Sequence, residues 1–171
     1  MSGIQSLLAI GAIWLFALVS INFNTTVVHN ISIEVENKVY LTAFSLADDM
    51  IEEIKQKAFD EWTADGKLKV VALSSLTDPN YLKAESGEVW PNFNDIDDYN
   101  KYPKVITGLP YVENFNVYTT VRYANPTDFS DTLYTQRSFY KRVDVTVTSK
   151  YLQTPVRLNF IFSLHSKLKE E

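Results

Sequence analysis

IQSLLAIGAIWLFALVSINF, residues Ile4 to Phe23, contains no acidic or basic side chain. As a helix, a stretch of about 20 residues covers roughly 30 Å, the thickness of the hydrocarbon core of a bilayer. No formal charge occurs anywhere from Met1 through Ile33. Residues 1–23 therefore read as a single N-terminal transmembrane anchor. A cleaved signal peptide is the competing reading. It would carry a basic n-region and small residues before the cut, whereas the tail Met1-Ser2-Gly3 has neither Lys nor Arg. The first basic residue is Lys38, so flanking charge does not orient the span. The short tail leads us to expect a single-pass membrane protein with a cytoplasmic N-terminus and a periplasmic or extracellular C-terminal domain.

Downstream of the anchor, residues 24–35 form a connecting segment. Its Asn24–Ile33 portion, NTTVVHNISI, is rich in β-branched residues and Asn and has poor helix propensity. Residues 36–171 form the extracytoplasmic domain. All the charge lies beyond Ile33, and the chain's net charge of −5 gives no electrostatic ground for nucleic-acid binding. There is no cysteine, which excludes disulfides, thiolate metal sites and cysteine nucleophiles.

Glu36 to Trp62 carries helical periodicity. Val39, Ala43, Leu46, Met50, Ile54 and Ala58 recur at spacings of three or four, and Tyr40, Phe44, Ala47 and Ile51 widen the stripe. The stripe predicts a core-facing helix, with Asp48, Asp49, Glu52 and Glu53 on its solvated face. Asp65-Gly66 marks a turn, and Lys69–Leu73 is a short strand candidate. Ser74–Pro110 lacks a clear period and is long enough to need packing or function of its own. The last third alternates: Phe115, Val117, Thr119, Val121 and Tyr123; then Val143, Val145 and Val147; then Val156, Leu158, Phe160, Phe162 and Leu164. Period two in three segments predicts an antiparallel sheet with one buried face, whose last two strands form a hairpin across Ser149–Pro155. The fold class expected is α+β, with the amphipathic helix covering the sheet.

Catalytic signatures are absent. No nucleophile elbow, P-loop, dinucleotide fingerprint or H-E-x-x-H occurs, and neither His29 nor His165 has a second ligand at metal-binding spacing. No catalytic residue, organic cofactor or small-molecule substrate is expected, and the chain reads as a non-enzyme. One polar constellation stands out in Asn92–Asn100: Asp95, Asp97 and Asp98 offer hard oxygen ligands suited to calcium. The loop lacks the glycine and distal Glu of an EF-hand, and an Asx-rich turn bonding its own amides is the alternative.

The order of anchor helix, amphipathic helix, acidic loop and antiparallel strands resembles type IV pilin-like proteins and the pseudopilins of type II secretion. Ser45–Lys55, Asn94–Asn100 and Tyr140–Thr148 resemble, more narrowly, minor pilins of the mannose-sensitive-haemagglutinin type. Pilin precursors carry a basic leader ending in Gly, then Phe or Met, with a Glu five residues into the mature helix. Here Ile4 follows Gly3, and Leu8 stands at that fifth position. The resemblance thus implies a divergent relative without the usual leader and Glu.

It further implies a structural or accessory subunit of a pilus- or pseudopilus-like envelope filament. The partners would be itself or other pilin-like subunits, within membrane lipid. Packing would run through the N-terminal helix at Gly3, Leu8, Gly11, Ala12 and Leu15, where small residues allow close approach. A membrane-tethered monomeric binding module using the 74–110 loop is the alternative.

Overall fold

The computed structural model describes residues 3–66, 72–109 and 113–167. It divides into two compact units, Met1–Lys38 and Val39–Glu171. The first unit is helical throughout its described residues, the opening part of helix α1 (Gly3–Lys55). Every residue from Gly3 to Val35 is exposed. The most apolar 18-residue window of α1 has a mean hydropathy of 2.2, long and apolar enough to cross a membrane. The segment Asn24–Ile33 is helical despite its composition. Thr25 and Thr26 turn their hydroxyls back onto the carbonyls of Ile21 and Asn22, each at 2.9 Å, which satisfies side chains that would otherwise compete with the helix.

The second unit is α+β, as the patterning predicts. Five antiparallel strands follow the helix: β1 (Pro103–Thr107), β2 (Asn114–Asn125), β3 (Asp128–Leu133), β4 (Tyr140–Thr148) and β5 (Val156–Ser163). A short helix α2 (Leu164–Lys167) closes the described chain. The sheet order is β1-β2-β4-β5, and β3 pairs with β2 at Tyr123–Asn125. The three strands read from alternation are β2, β4 and β5, and the hairpin of the last two is present with Val147 opposite Val156. Alternation missed β1, where Pro103 is tolerated as the first residue of an edge strand. It also missed β3, whose residues are mostly exposed. The strand candidate Lys69–Leu73 falls largely outside the described residues, and Leu73 begins a short 3-10 turn.

The buried face of the sheet places Val117, Thr119 and Val121 of β2 opposite Val147, Val145 and Val143 of β4. Against it lie Val39, Ala43, Ala47, Met50, Ile51 and Ile54 of α1. These are the predicted stripe, and Phe44 is its exception, left half exposed. The helix stops earlier than the pattern suggests, at Lys55 rather than Trp62. Its last turn tightens through Gln56 N–H to Glu53 and Lys57 N–H to Ile54, the i→i+3 bonds of a closing helix end. Ala58 then leaves the helix and forms a parallel bridge beside Asp95, donating to Asn94 O at 3.1 Å and accepting from Ile96 N at 3.0 Å.

Residues 74–109 are a packed layer. Leu76, Leu82, Phe93, Ile96 and Tyr99 belong to the core. Phe93, Tyr99 and Tyr102 stack edge to face, with ring centroids 4.9–6.2 Å apart. Between β1 and β3 the exposed edge of β2 is completed by this layer: Thr119 N–H donates to Tyr102 O at 3.2 Å and Val121 N–H to Asn100 Oδ1 at 2.9 Å. Glu53 ties the layer to the helix, accepting from Trp90 Nε1 at 2.7 Å, Tyr99 OH at 2.8 Å and Lys104 Nζ at 3.1 Å.

Truncating Ile54 to Ala removes a fully buried side chain at the helix–sheet contact. It should cost about 2–5 kcal/mol, whereas Phe44→Ala should cost less than about 1 kcal/mol. Urea unfolding of the full chain in detergent, followed by tryptophan fluorescence, separates the two. Equal losses would contradict the burial pattern.

Candidate functional site

The alternation of β4 places residues 141, 143, 145 and 147 on the buried face, so Lys141 enters the core in line with three valines. A buried ammonium must be paired and hydrogen-bonded. All three Nζ donors are used: Phe59 O at 2.7 Å, Asp60 Oδ2 at 2.9 Å and Asp97 at 2.8 Å. The ammonium also lies over the rings of Phe59 at 4.6 Å and Tyr123 at 5.4 Å. Lys141, Asp60, Asp95 and Asp97 are sealed from solvent.

Each carboxylate of this centre has a distinct environment. Asp60 accepts from Thr77 N and Oγ1, both at 3.1 Å, and from Trp62 N at 3.3 Å. Burial alone would raise its pKa, but the Lys141 charge and these donors prevail and hold it below its ordinary value. Asp97 is pushed up to about 6 by burial, with Lys141 opposing and Asp60 adding to the rise. Asp95 is pushed up to about 9 by burial and the charge of Asp97. Its Oδ1 accepts from Asp97 N at 2.6 Å and Asp98 N at 3.3 Å, while Oδ2 has no partner. Lys141 is raised despite burial, by the charges of Asp97, Asp60 and Asp95.

A second group of carboxylates lies alongside. Glu85 and Glu88 close a tight turn in which Glu88 N–H donates to Glu85 O at 3.1 Å, with Gly87 at φ +99° where such a turn needs a left-handed residue. Glu61, Glu85 and Glu88 each bring one oxygen within 4.8 Å of the other two. Asn94 Nδ2 donates to Glu61 at 3.1 Å and Glu88 at 2.9 Å. Partial desolvation, contact with Glu88 and the charge of Asp98 push Glu85 up to about 8.

Of the residues singled out in the acidic loop, Asp97 faces Lys141, Asp95 holds the amides of its own turn, and Asp98 accepts from Asn94 N at 2.9 Å and Asp95 N at 3.2 Å. The Asx-turn bonds expected of the loop are therefore present, together with Lys141. Sequence reading did not find Lys141, Asp60, Glu85 or Glu88. Lys141 had a usable signal, a basic residue two positions before Val143 on an inward-facing register; the others are distant in sequence and carry none. His29 is exposed, and His165 is exposed with its ring 5.9 Å from that of Phe139. Leu8, Gly11, Ala12 and Leu15 share one face of α1, with Gly3 nearer its start, and all five are exposed.

No protein-family model, curated protein or solved structure matches the chain.

Removing the buried ammonium leaves its carboxylates uncompensated, so Lys141→Met should cost about 3–5 kcal/mol in urea unfolding. Stability should also depend on pH through Asp95. Its folded pKa of about 9 exceeds the ordinary Asp value near ~3.9, so between those limits the folded state holds the extra proton. Its contribution is complete below the unfolded pKa and is lost as pH rises. The unfolding free energy should therefore fall from about pH 5 to about pH 8, and Asp95→Asn should shrink that fall. An unchanged slope in the variant would rule Asp95 out as its source.

Proposed function

We propose that the chain is a non-catalytic structural or accessory subunit of a pilus- or pseudopilus-like envelope assembly, packing through its N-terminal helix. One observation carries this reading. Ile4, Leu8, Trp14, Phe16 and Phe23 are each more than two-thirds exposed along a helix without a charged residue before Glu34. Apolar surface on that scale requires lipid, a protein neighbour or both. The later turns of the same helix, Val39 to Ile54, form the core of an antiparallel α+β unit, the general pilin-like architecture. Anchor and fold layer are thus one covalent element, the arrangement by which subunits of such assemblies pack side by side. The N-terminus is assigned to the cytoplasm and the sheet-bearing unit to the extracytoplasmic side.

Crosslinking in native membranes tests the reading. The chain has no cysteine, so single cysteines at Leu8 or Ala12 report without background. A Cβ added at Gly11 meets no atom of the chain within 4 Å, so Gly11→Leu acts on neighbouring molecules rather than on the subunit's own fold. The expected result is a ladder of crosslinked species that shortens to monomer in Gly11→Leu. Monomer alone, with labelling confirmed, would overturn the assembly and leave a tethered binding module built on residues 74–110.

A further inference from the structure

Asp98 carries an oxygen that the loop does not use. Its side chain is 2 % exposed, Oδ2 is taken by two backbone amides, and Oδ1 meets no N–H or hydroxyl donor, the carboxyl lying instead against that of Glu85. A buried acceptor left without a donor is costly and rare in native proteins. Asp98 shares the lining of a cavity of about 360 Å³ with Glu88 and Trp90. Glu88 in turn belongs to the trio with Glu61 and Glu85, whose oxygens lie within 4.8 Å of one another. Asp98 thus stands beside this trio, its carboxyl against that of Glu85 and its cavity shared with Glu88.

Among the described residues, no lysine or arginine forms an ion pair with Glu85, Glu88 or Asp98. Lys83 and Lys101 line the same cavity without bonding to them. The side-chain donor that serves Glu88 is the neutral amide of Asn94. This contrasts with the neighbouring cluster, where Lys141 supplies the cation. The donor set is entirely oxygen, with no imidazole or thiolate, which favours a hard cation. Carboxylates on one turn and two 3-10 segments provide the flexible, irregular ligation that calcium accepts and magnesium resists.

We infer that the chain binds a calcium ion between Glu85, Glu88 and Asp98, with Glu61 beside it. The ion ties the Glu85–Glu88 turn to the Asp97–Tyr99 segment and satisfies Asp98 Oδ1. Of the three aspartates singled out by the loop sequence, only Asp98 lines the cavity with Glu88, while Asp97 faces Lys141 and Asp95 lies beside Asp97 in the core. The site does not depend on whether the chain assembles.

Terbium, a luminescent substitute for calcium, tests the site on the full chain in detergent, because Trp90 lines the same cavity and acts as the sensitiser. Indole excitation should produce terbium emission that added calcium abolishes. Calcium a hundredfold above its Kd should raise Tm by roughly 5–10 °C. Glu85→Gln and Glu88→Gln should each weaken calcium binding by about tenfold or more, while Glu52→Gln on the exposed face of α1 should not. Gln at position 88 keeps an acceptor oxygen for Asn94, and circular dichroism establishes that each variant is folded. Absence of calcium-displaceable emission in the wild-type chain would overturn the site. So would calcium affinity unchanged in both folded variants.

Discussion

The pairing of Lys141 with Asp60 and Asp97 is the constraint on which the rest of the sheet-bearing unit depends. A lysine on the inward register of β4 is tolerable only if its three donors are met inside the core. Meeting them requires the chain after α1 to present Phe59 O and Asp60, and the acidic loop to present Asp97. The end of the helix follows from this. Continuing the helix to Trp62 would keep Phe59 O and Asp60 within its own turns, so the chain leaves helical geometry at Lys55 and bridges to Asp95 through Ala58. One ammonium thereby fixes two separate segments against β4.

Burial of this kind trades stability for definition. Hydrophobic residues of similar volume would fill the same space without the desolvation cost of charge. What the ion centre adds is directionality, since Lys141 admits only one arrangement of Asp60, Asp97 and the Phe59 carbonyl around it. Asp95 completes the balance by holding its proton, because a further negative charge beside Asp97 would have no counterpart. Glu53 performs a related task nearer the surface. Burial opposes its charge, but Trp90, Tyr99 and Lys104 hold its carboxyl below the usual range. Residues 74–109 are thus clamped from both sides, by Glu53 on α1 and by the Lys141 centre.

The N-terminal unit follows a different physical rule. Its residues satisfy their backbone hydrogen bonds within one helix and present apolar side chains outward, the solution a hydrocarbon environment imposes. Nothing in the chain itself covers Ile4 to Phe23 among the described residues. That uncovered surface motivates the assembly proposed for this chain, in which neighbouring subunits and lipid share the covering of the helix.

Local patterns were enough for much of this. The uncharged run to Ile33, the stripe from Val39 to Ile54 and the alternation in β2, β4 and β5 were legible because each side chain's environment repeats with the geometry of its own element. The sequence by itself therefore determined an apolar N-terminal helix and an α+β unit with one buried sheet face. Tertiary structure alone decided the end of α1, the edge strands β1 and β3, and the roles of the carboxylates. Asp60 lies 81 residues from Lys141 and Asp97 lies 44, and Glu61 is brought to Glu85 and Glu88 by the folding of the intervening loop. Charges that far apart carry no periodic signal. Whether an aspartate pairs with a lysine, holds a proton or turns to a cation depends on burial and on what stands opposite, and both are set only when the chain closes on itself.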